Sequence, residues 1–136
     1  MTTEQRQALT LAELRAAIER TLRVGKTVVV PDNAPESRFR VMPRLAREAF
    51  WHGDARLTID ARSTLAQTAW IDAQFRALQA EAGFHLVSLR DRLCNESTCR
   101  VYDSTLKRPV YSDESHFDPM WIAENGNIFA PFVTAN

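Results

Sequence analysis

The run Thr27-Val28-Val29-Val30-Pro31 constrains this chain more than any other stretch. Three consecutive valines have no polar face, so a strand built from them needs cover on both sides and neighbours on both edges, as in a parallel sheet. The residues ahead of it supply a helix. Leu11, Leu14, Ile18 and Leu22 share one face, Thr10 and Glu13 have capping-box spacing, and Gly25 provides a stop. The same order then recurs. Residues 63–83 predict a second helix, its faces bracketed by Leu65, Ala69, Asp72, Phe75 and Leu78 and its apolar stripe widened by Trp70 and Ile71. Gly83 ends it, and Phe84–Leu89 predicts a second buried strand. Helix–strand, an irregular stretch, then helix–strand again is the pattern of an α/β protein, a parallel sheet flanked by helices. Two parallel strands alone make a poor sheet, so the chain reads as part of a doubly wound sheet rather than all of one.

The irregular stretch is broken by Pro31, Pro35 and Pro43 and has room for a short helix from Arg44 to Phe50. Beyond the second strand, Arg100–Ser112 predicts a hairpin with Asp103 to Lys107 at its turn and Val101, Tyr102, Val110 and Tyr111 in its arms. A closing helix starts at Asp118, a good N-cap, with Pro119 at the first helical position. Met120, Trp121, Ile122, Ile128, Phe129 and Phe132 load that segment with apolar side chains, and Gly126 weakens its middle.

At 136 residues the chain is one domain's worth of sequence. Seventeen basic and 17 acidic side chains cancel, which leaves no net field to draw in nucleic acid or an anionic membrane. No apolar run is long enough to span a bilayer, and the polar Met1–Thr10 segment has no secretory signal, so an export signal would have to lie upstream of Met1. The only two cysteines, Cys94 and Cys99, flank four polar residues. They can bridge if that loop folds back, which favours an oxidising compartment, or stay as two thiols; a zinc site would need further ligands. A bridge this short would contribute about 2 kcal/mol by loop closure. No metal and no cofactor is expected.

The stretch Pro109-Val-Tyr-Ser-Asp-Glu-Ser-His-Phe-Asp-Pro119 holds the candidate chemistry. An imidazole accepts a hydroxyl proton only if its other nitrogen is held in the right tautomer, and Asp113 lies three residues before His116, within reach of that ring. The same spacing also suits a turn-capping Asp beside a solvated His, and spacing alone does not choose between them.

In context, residues Leu93 to Trp121 resemble the last block of SGNH (GDSL-type) hydrolase-like domains, above all those fused to membrane acyltransferases that O-acylate bacterial cell-surface glycans. The likeness rests on the cysteine pair of "CNESTC", on "KRPVYSDESHFDP" and on the helix behind it. "PDNAPE" is similar to the segment after that family's third strand. The resemblance implies a partial flavodoxin-like, SGNH-type sheet in which His116 is the general base, Asp113 the carboxylate that orients it, and Cys94 and Cys99 the family's paired cysteines. Phe117-Asp118 stands where the family has Leu-Ser, and Met120-Trp121-Ile122-Ala123 replaces its Gly-Ala.

The nucleophile is missing. The family carries it in a Gly-Asp-Ser motif after its first strand, and no such triplet occurs here. "HGDAR" imitates it with Ala55 where the hydroxyl should be, and Ser112 and Ser115 lie too close along the chain to aim at His116. Asn33 is a weak candidate for an oxyanion donor; His52 and His85 read as surface or core residues. The implied reading is the C-terminal part of a single, incomplete SGNH domain at residues 1–136, inactive alone. Its parent would be a membrane O-acyltransferase, working on the periplasmic side on a cell-envelope glycan or an acyl-group carrier, with the missing N-terminal half as partner. One alternative is a self-standing, non-catalytic α/β domain binding carbohydrate or protein through Tyr102, Tyr111 and Trp121. Another is an unrelated cytoplasmic α/β protein with reduced cysteines.

Overall fold

A computed structural model of the chain describes residues 1–133. The protein is mixed α/β, with small parallel and antiparallel sheets, and divides into two compact units. The first unit holds Met1–Asp32 and Ala69–Val87; the second holds Asn33–Thr68 and the chain from Ser88 onward.

The first unit carries the parallel pair read from the sequence. Helix α1 spans Thr3–Arg23, and strands β1 (Val29–Pro31) and β3 (His85–Val87) pair in parallel, Val29 with His85, Val30 with Leu86 and Pro31 with Val87. Ile18 of α1, Leu78 of helix α3 (Ala61–Ala82) and Phe84 form its core, with Leu14, Leu22 and Val30 packed around them. The face expected of α1 is the one that is buried, but the helix starts earlier than Thr10. Thr2 is its N-cap, accepting from the Gln5 N–H while Gln5 reciprocates, and Thr10 instead donates to the Arg6 carbonyl inside the helix. Gln, Glu, Arg and Ala ahead of Thr10 are good helix formers, so a cap nearer the terminus wins. Trp70 and Leu65 of α3 remain substantially exposed, so the expected widening of its apolar stripe does not translate into burial.

The second unit holds the larger core, made of Val41, Leu45, Ile59, Leu93, Cys99, Val101, Val110, Tyr111 and Trp121 with Ala61. Helix α2 runs Val41–His52, three residues longer at its start than expected. Pro43 does not break it because a proline in the first turn gives up an N–H that has no helical partner anyway. Strand β2 (Thr58–Asp60) pairs antiparallel with β4 (Thr98–Arg100), placing Ile59 opposite Cys99. Neither strand was expected. The short helix α4 (Leu89–Leu93), capped by Ser88, leads into a disulfide between Cys94 and Cys99. Asn95 shapes the loop inside that bridge, its side-chain oxygen accepting from the Ser97 and Thr98 N–H groups.

The hairpin follows its expectation closely. Strands β5 (Tyr102–Asp103) and β6 (Arg108–Pro109) pair, and the Val110 N–H continues the ladder to the Val101 carbonyl at 2.9 Å. Lys107 takes the left-handed conformation at the turn, φ 52°. The closing helix α5 (Pro119–Asn125) gives way at Gly126 to a 3-10 segment, Gly126–Phe132, that contains Pro131. The weakness expected at Gly126 is thus a change of helix type.

Candidate active-site loop

The loop between the hairpin and α5 is built from short-range bonds. At its neck, Tyr111 and Phe117 form an antiparallel bridge, the Ser112 N–H donates to the His116 carbonyl at 2.9 Å, and the Asp118 N–H donates to the Val110 carbonyl at 2.8 Å. Aromatic rings floor the loop. Tyr111 stacks on Phe117 with centroids 5.1 Å apart, and Phe117 lies 5.4 Å from Trp121. Tyr111 is fully buried and Trp121 nearly so, while Tyr102 is half-buried. Of the three residues named for the alternative binding reading, Tyr111 and Trp121 are core and hold up the loop, and Tyr102 keeps part of its surface exposed.

Asp113 organises the top of the loop. Its Oδ1 accepts from the Ser115 and His116 N–H groups at 2.9 and 2.8 Å, and its Oδ2 lies 2.7 Å from His116 Nδ1. Hydrogen bonds from Ser115 and His116 backbone, then from the His116 ring, hold the Asp113 carboxyl down at about 2, so it stays ionised. With Nδ1 facing a carboxylate, the neutral ring carries its proton there and leaves Nε2 as the basic atom. The His116 side chain is 78% exposed, and among the described residues none hydrogen-bonds to Nε2. The arrangement can take a proton at Nε2 while Asp113 stabilises the resulting positive charge.

The loop is anchored on both sides. Asp103 and Trp121 tie the hairpin to α5: Asp103 Oδ2 accepts from Trp121 Nε1–H at 3.1 Å, and Oδ1 accepts from the Thr105 and Leu106 N–H groups. Burial pushes the Asp103 carboxyl up, but hydrogen bonds from Leu106, Trp121 and Thr105 and the nearby Arg100 charge outweigh it, so the net direction is down. On the other side, the Ser37 N–H donates to the Glu114 carbonyl at 2.8 Å, joining the segment behind Asn33 to the tip of the loop. Ser37 and Pro35 are buried, and Ser37 closes its own turn through Phe39. That contact spans 77 positions of sequence and was not anticipated; the signal available was "PDNAPE", read only as a likeness.

The remaining candidates fall elsewhere. Asn33 is half-buried beyond β1, and no hydrogen bond joins it to Asp113 or His116 among the described residues. "HGDAR" is a helix stop: Gly53 is the left-handed C-cap of α2, φ 67°, its N–H bonded to the Ala49 carbonyl. His52 and His85 are exposed. Ser112 and Ser115 are exposed and use backbone groups inside the loop. Among the described residues no group of three or more His, Cys, Asp or Glu could hold a metal ion, and no helix is long and apolar enough to cross a membrane.

A family model described as "SGNH domain (fused to AT3 domains)" matches residues 1–130. No curated protein matches the chain, and no solved structure does.

Proposed function

The chain belongs to the family of SGNH domains fused to AT3 domains, and on that premise we propose that it supplies the histidine–aspartate part of a serine acyl-transfer relay. The observation that carries the reading is the 2.7 Å contact between Asp113 Oδ2 and His116 Nδ1, with Nε2 open to solvent. The nucleophile comes from a Gly-Asp-Ser segment not contained in these residues. Membership of a family fused to acyltransferase domains supports a membrane O-acyltransferase as the parent, with this domain on the periplasmic side. The Cys94–Cys99 disulfide fits an oxidising compartment.

In the proposed reaction His116 Nε2 takes the serine proton as the oxygen attacks the acyl carbonyl. The tetrahedral intermediate collapses, its leaving group departs with that proton, and the acyl group stays on serine. A sugar hydroxyl of the envelope glycan then attacks, losing its proton to Nε2, and serine is released with its proton returned. Asp113 remains ionised throughout and holds the imidazolium. Without serine and oxyanion donors most transition-state stabilisation is missing, so these residues alone are inactive. The two-stranded parallel pair, β1 with β3, also supports an incomplete sheet.

The test is His116→Ala in the protein expressed from its complete gene, with acylation of the envelope glycan as the readout. Loss of transfer by about ten-thousandfold is expected. Retained transfer, or a complete gene with no Gly-Asp-Ser codons, would falsify the reading.

A further inference from the structure

Net charge hides a local excess. Residues 38–47 contain four arginines and no acid, within a chain of zero formal charge. All four are exposed, and three of them, Arg40, Arg44 and Arg47, recur with Trp51 at spacings of four, three and four from the N-cap along α2. At 3.6 residues per turn these four positions fall within an arc of about 60° and a length of about 16 Å. The buried residues of α2, Val41 and Leu45, lie on a different face, so the stripe is not a by-product of core packing.

None of the three arginines makes an ion pair with a described residue. Arg44 is nevertheless positioned, its guanidinium carbon 4.4 Å above the Phe39 ring. Trp51 is 71% exposed and braced edge-on by Phe50 at 5.1 Å. Arginine suits the helix interior at Arg44 and Arg47, but capping preference does not explain the start of the helix. Arg40 occupies the N-cap of α2 without a side-chain cap bond, and the first turn holds no acidic residue, although Ser, Asp or Glu would stabilise that end. The stripe is also tethered to the candidate site, because Ser37, three residues before Arg40, is bonded to Glu114 of the histidine loop.

We infer that the α2 stripe binds the acceptor of the proposed reaction, and that this acceptor is an anionic glycan carrying carboxylate or phosphate groups. Guanidinium forks match both anions, a row of three suits a chain with repeating charge, and an exposed indole offers a flat face to a sugar ring. The glycan identity rests on the acyl-transfer reading; the anionic character rests on the stripe.

The full-length protein is titrated with oligogalacturonate, which presents carboxylates, with phosphomannan, which presents phosphates, and with neutral dextran. Binding of one or both anionic glycans, weakening as salt rises, and none to dextran is expected. Arg44→Gln with Arg47→Gln should weaken it about tenfold or more, and Trp51→Ala should weaken it further. These side chains are exposed, and an unchanged circular dichroism spectrum confirms that each variant is folded. Binding only to neutral dextran, equal binding by the Gln variant, or preference for anionic phospholipid vesicles over both glycans overturns the inference. His116→Ala separates the two proposals, because it should abolish transfer and leave glycan binding unchanged. Stripe-dependent binding in a protein with no His116-dependent transfer overturns the acyl-transfer reading alone.

Discussion

Replacing Asp103 with Ala tests whether the histidine loop is held by its two flanking elements. The carboxylate is buried and accepts three hydrogen bonds, one from the Trp121 indole and two from the hairpin turn. Thr105 is exposed and Leu106 half-buried, so water replaces much of the turn cap, and that part resembles the loss of a helix N-cap. The indole N–H is different: Trp121 is 5% exposed, and its donor would be stranded. A stranded buried donor plus a lost cap sum to about 2 to 4 kcal/mol. Asp103→Asn sharpens the test, since an amide can offer its oxygen to the turn or to the indole but not to both. Trp121→Phe removes the donor and keeps a ring, so the Asn substitution should be less damaging in that background, with a coupling of about 1 to 2 kcal/mol. Hydrogen exchange at the Val110 amide, bonded inside the hairpin, reports opening of this unit alone. A loss of 2 kcal/mol lowers its protection about 30-fold. Unchanged protection in Asp103→Ala, or identical effects of Asn with and without Trp121, would refute the anchoring role. Because the folded carboxyl sits below its unfolded value, its contribution is present above about pH 3.9 and fades as pH falls through the lowered folded value. The gap between wild type and Asp103→Ala should narrow accordingly in acid.

Three further outcomes can be checked. In a carbon-detected NMR titration Asp113 should stay ionised until about pH 2, and the Ser115 and His116 amides should lose their bonded shifts as pH falls through that value; a midpoint near an ordinary carboxylate would contradict the bonding described. Reduction of Cys94–Cys99, or its replacement by two alanines, should lower stability by about 2 kcal/mol in chemical denaturation, and no change would show that the Asn95 turn closes the loop unaided. Gly53→Ala should destabilise by about 1 kcal/mol through its φ of 67°, since an added Cβ meets nothing within 4 Å; a neutral result would mean the helix end rearranges freely.

What the sequence discloses here is what neighbouring residues decide among themselves. Asp118 with Pro119 and Asp103 with Lys107 settle their geometry within five positions and are legible in the order of residues. The spacing of Asp113 and His116 leaves two readings open, and the structure combines them, a turn cap and a ring contact. The paired β1 and β3 are legible because a short apolar run follows each helix. Val29 and Val30 are nevertheless only half-buried, and His85 is exposed rather than covered as expected. Strands β2 and β4 are not legible, because each offers a single apolar residue, Ile59 or Cys99, between polar neighbours. The Ser37–Glu114 bond links backbone groups, which every residue owns, so no side chain advertises it. The burial of Tyr111 and Trp121 was hidden for a related reason. Aromatic residues serve surfaces and cores alike, and only the closed neck of the loop decides.

That closed neck makes the ring geometry of His116 a local property of its loop. The bonds that set the His116 ring lie between Val110 and Trp121, with their own floor, clasp and carboxylate, while Asp103 and Ser37 fasten that segment from outside. Orientation of the ring is thus settled within the segment, and its placement is settled by the hairpin turn and by the chain ahead of α2. Grafted onto a foreign hairpin, the loop would bring its tautomer with it but would need replacements for Asp103 and Ser37.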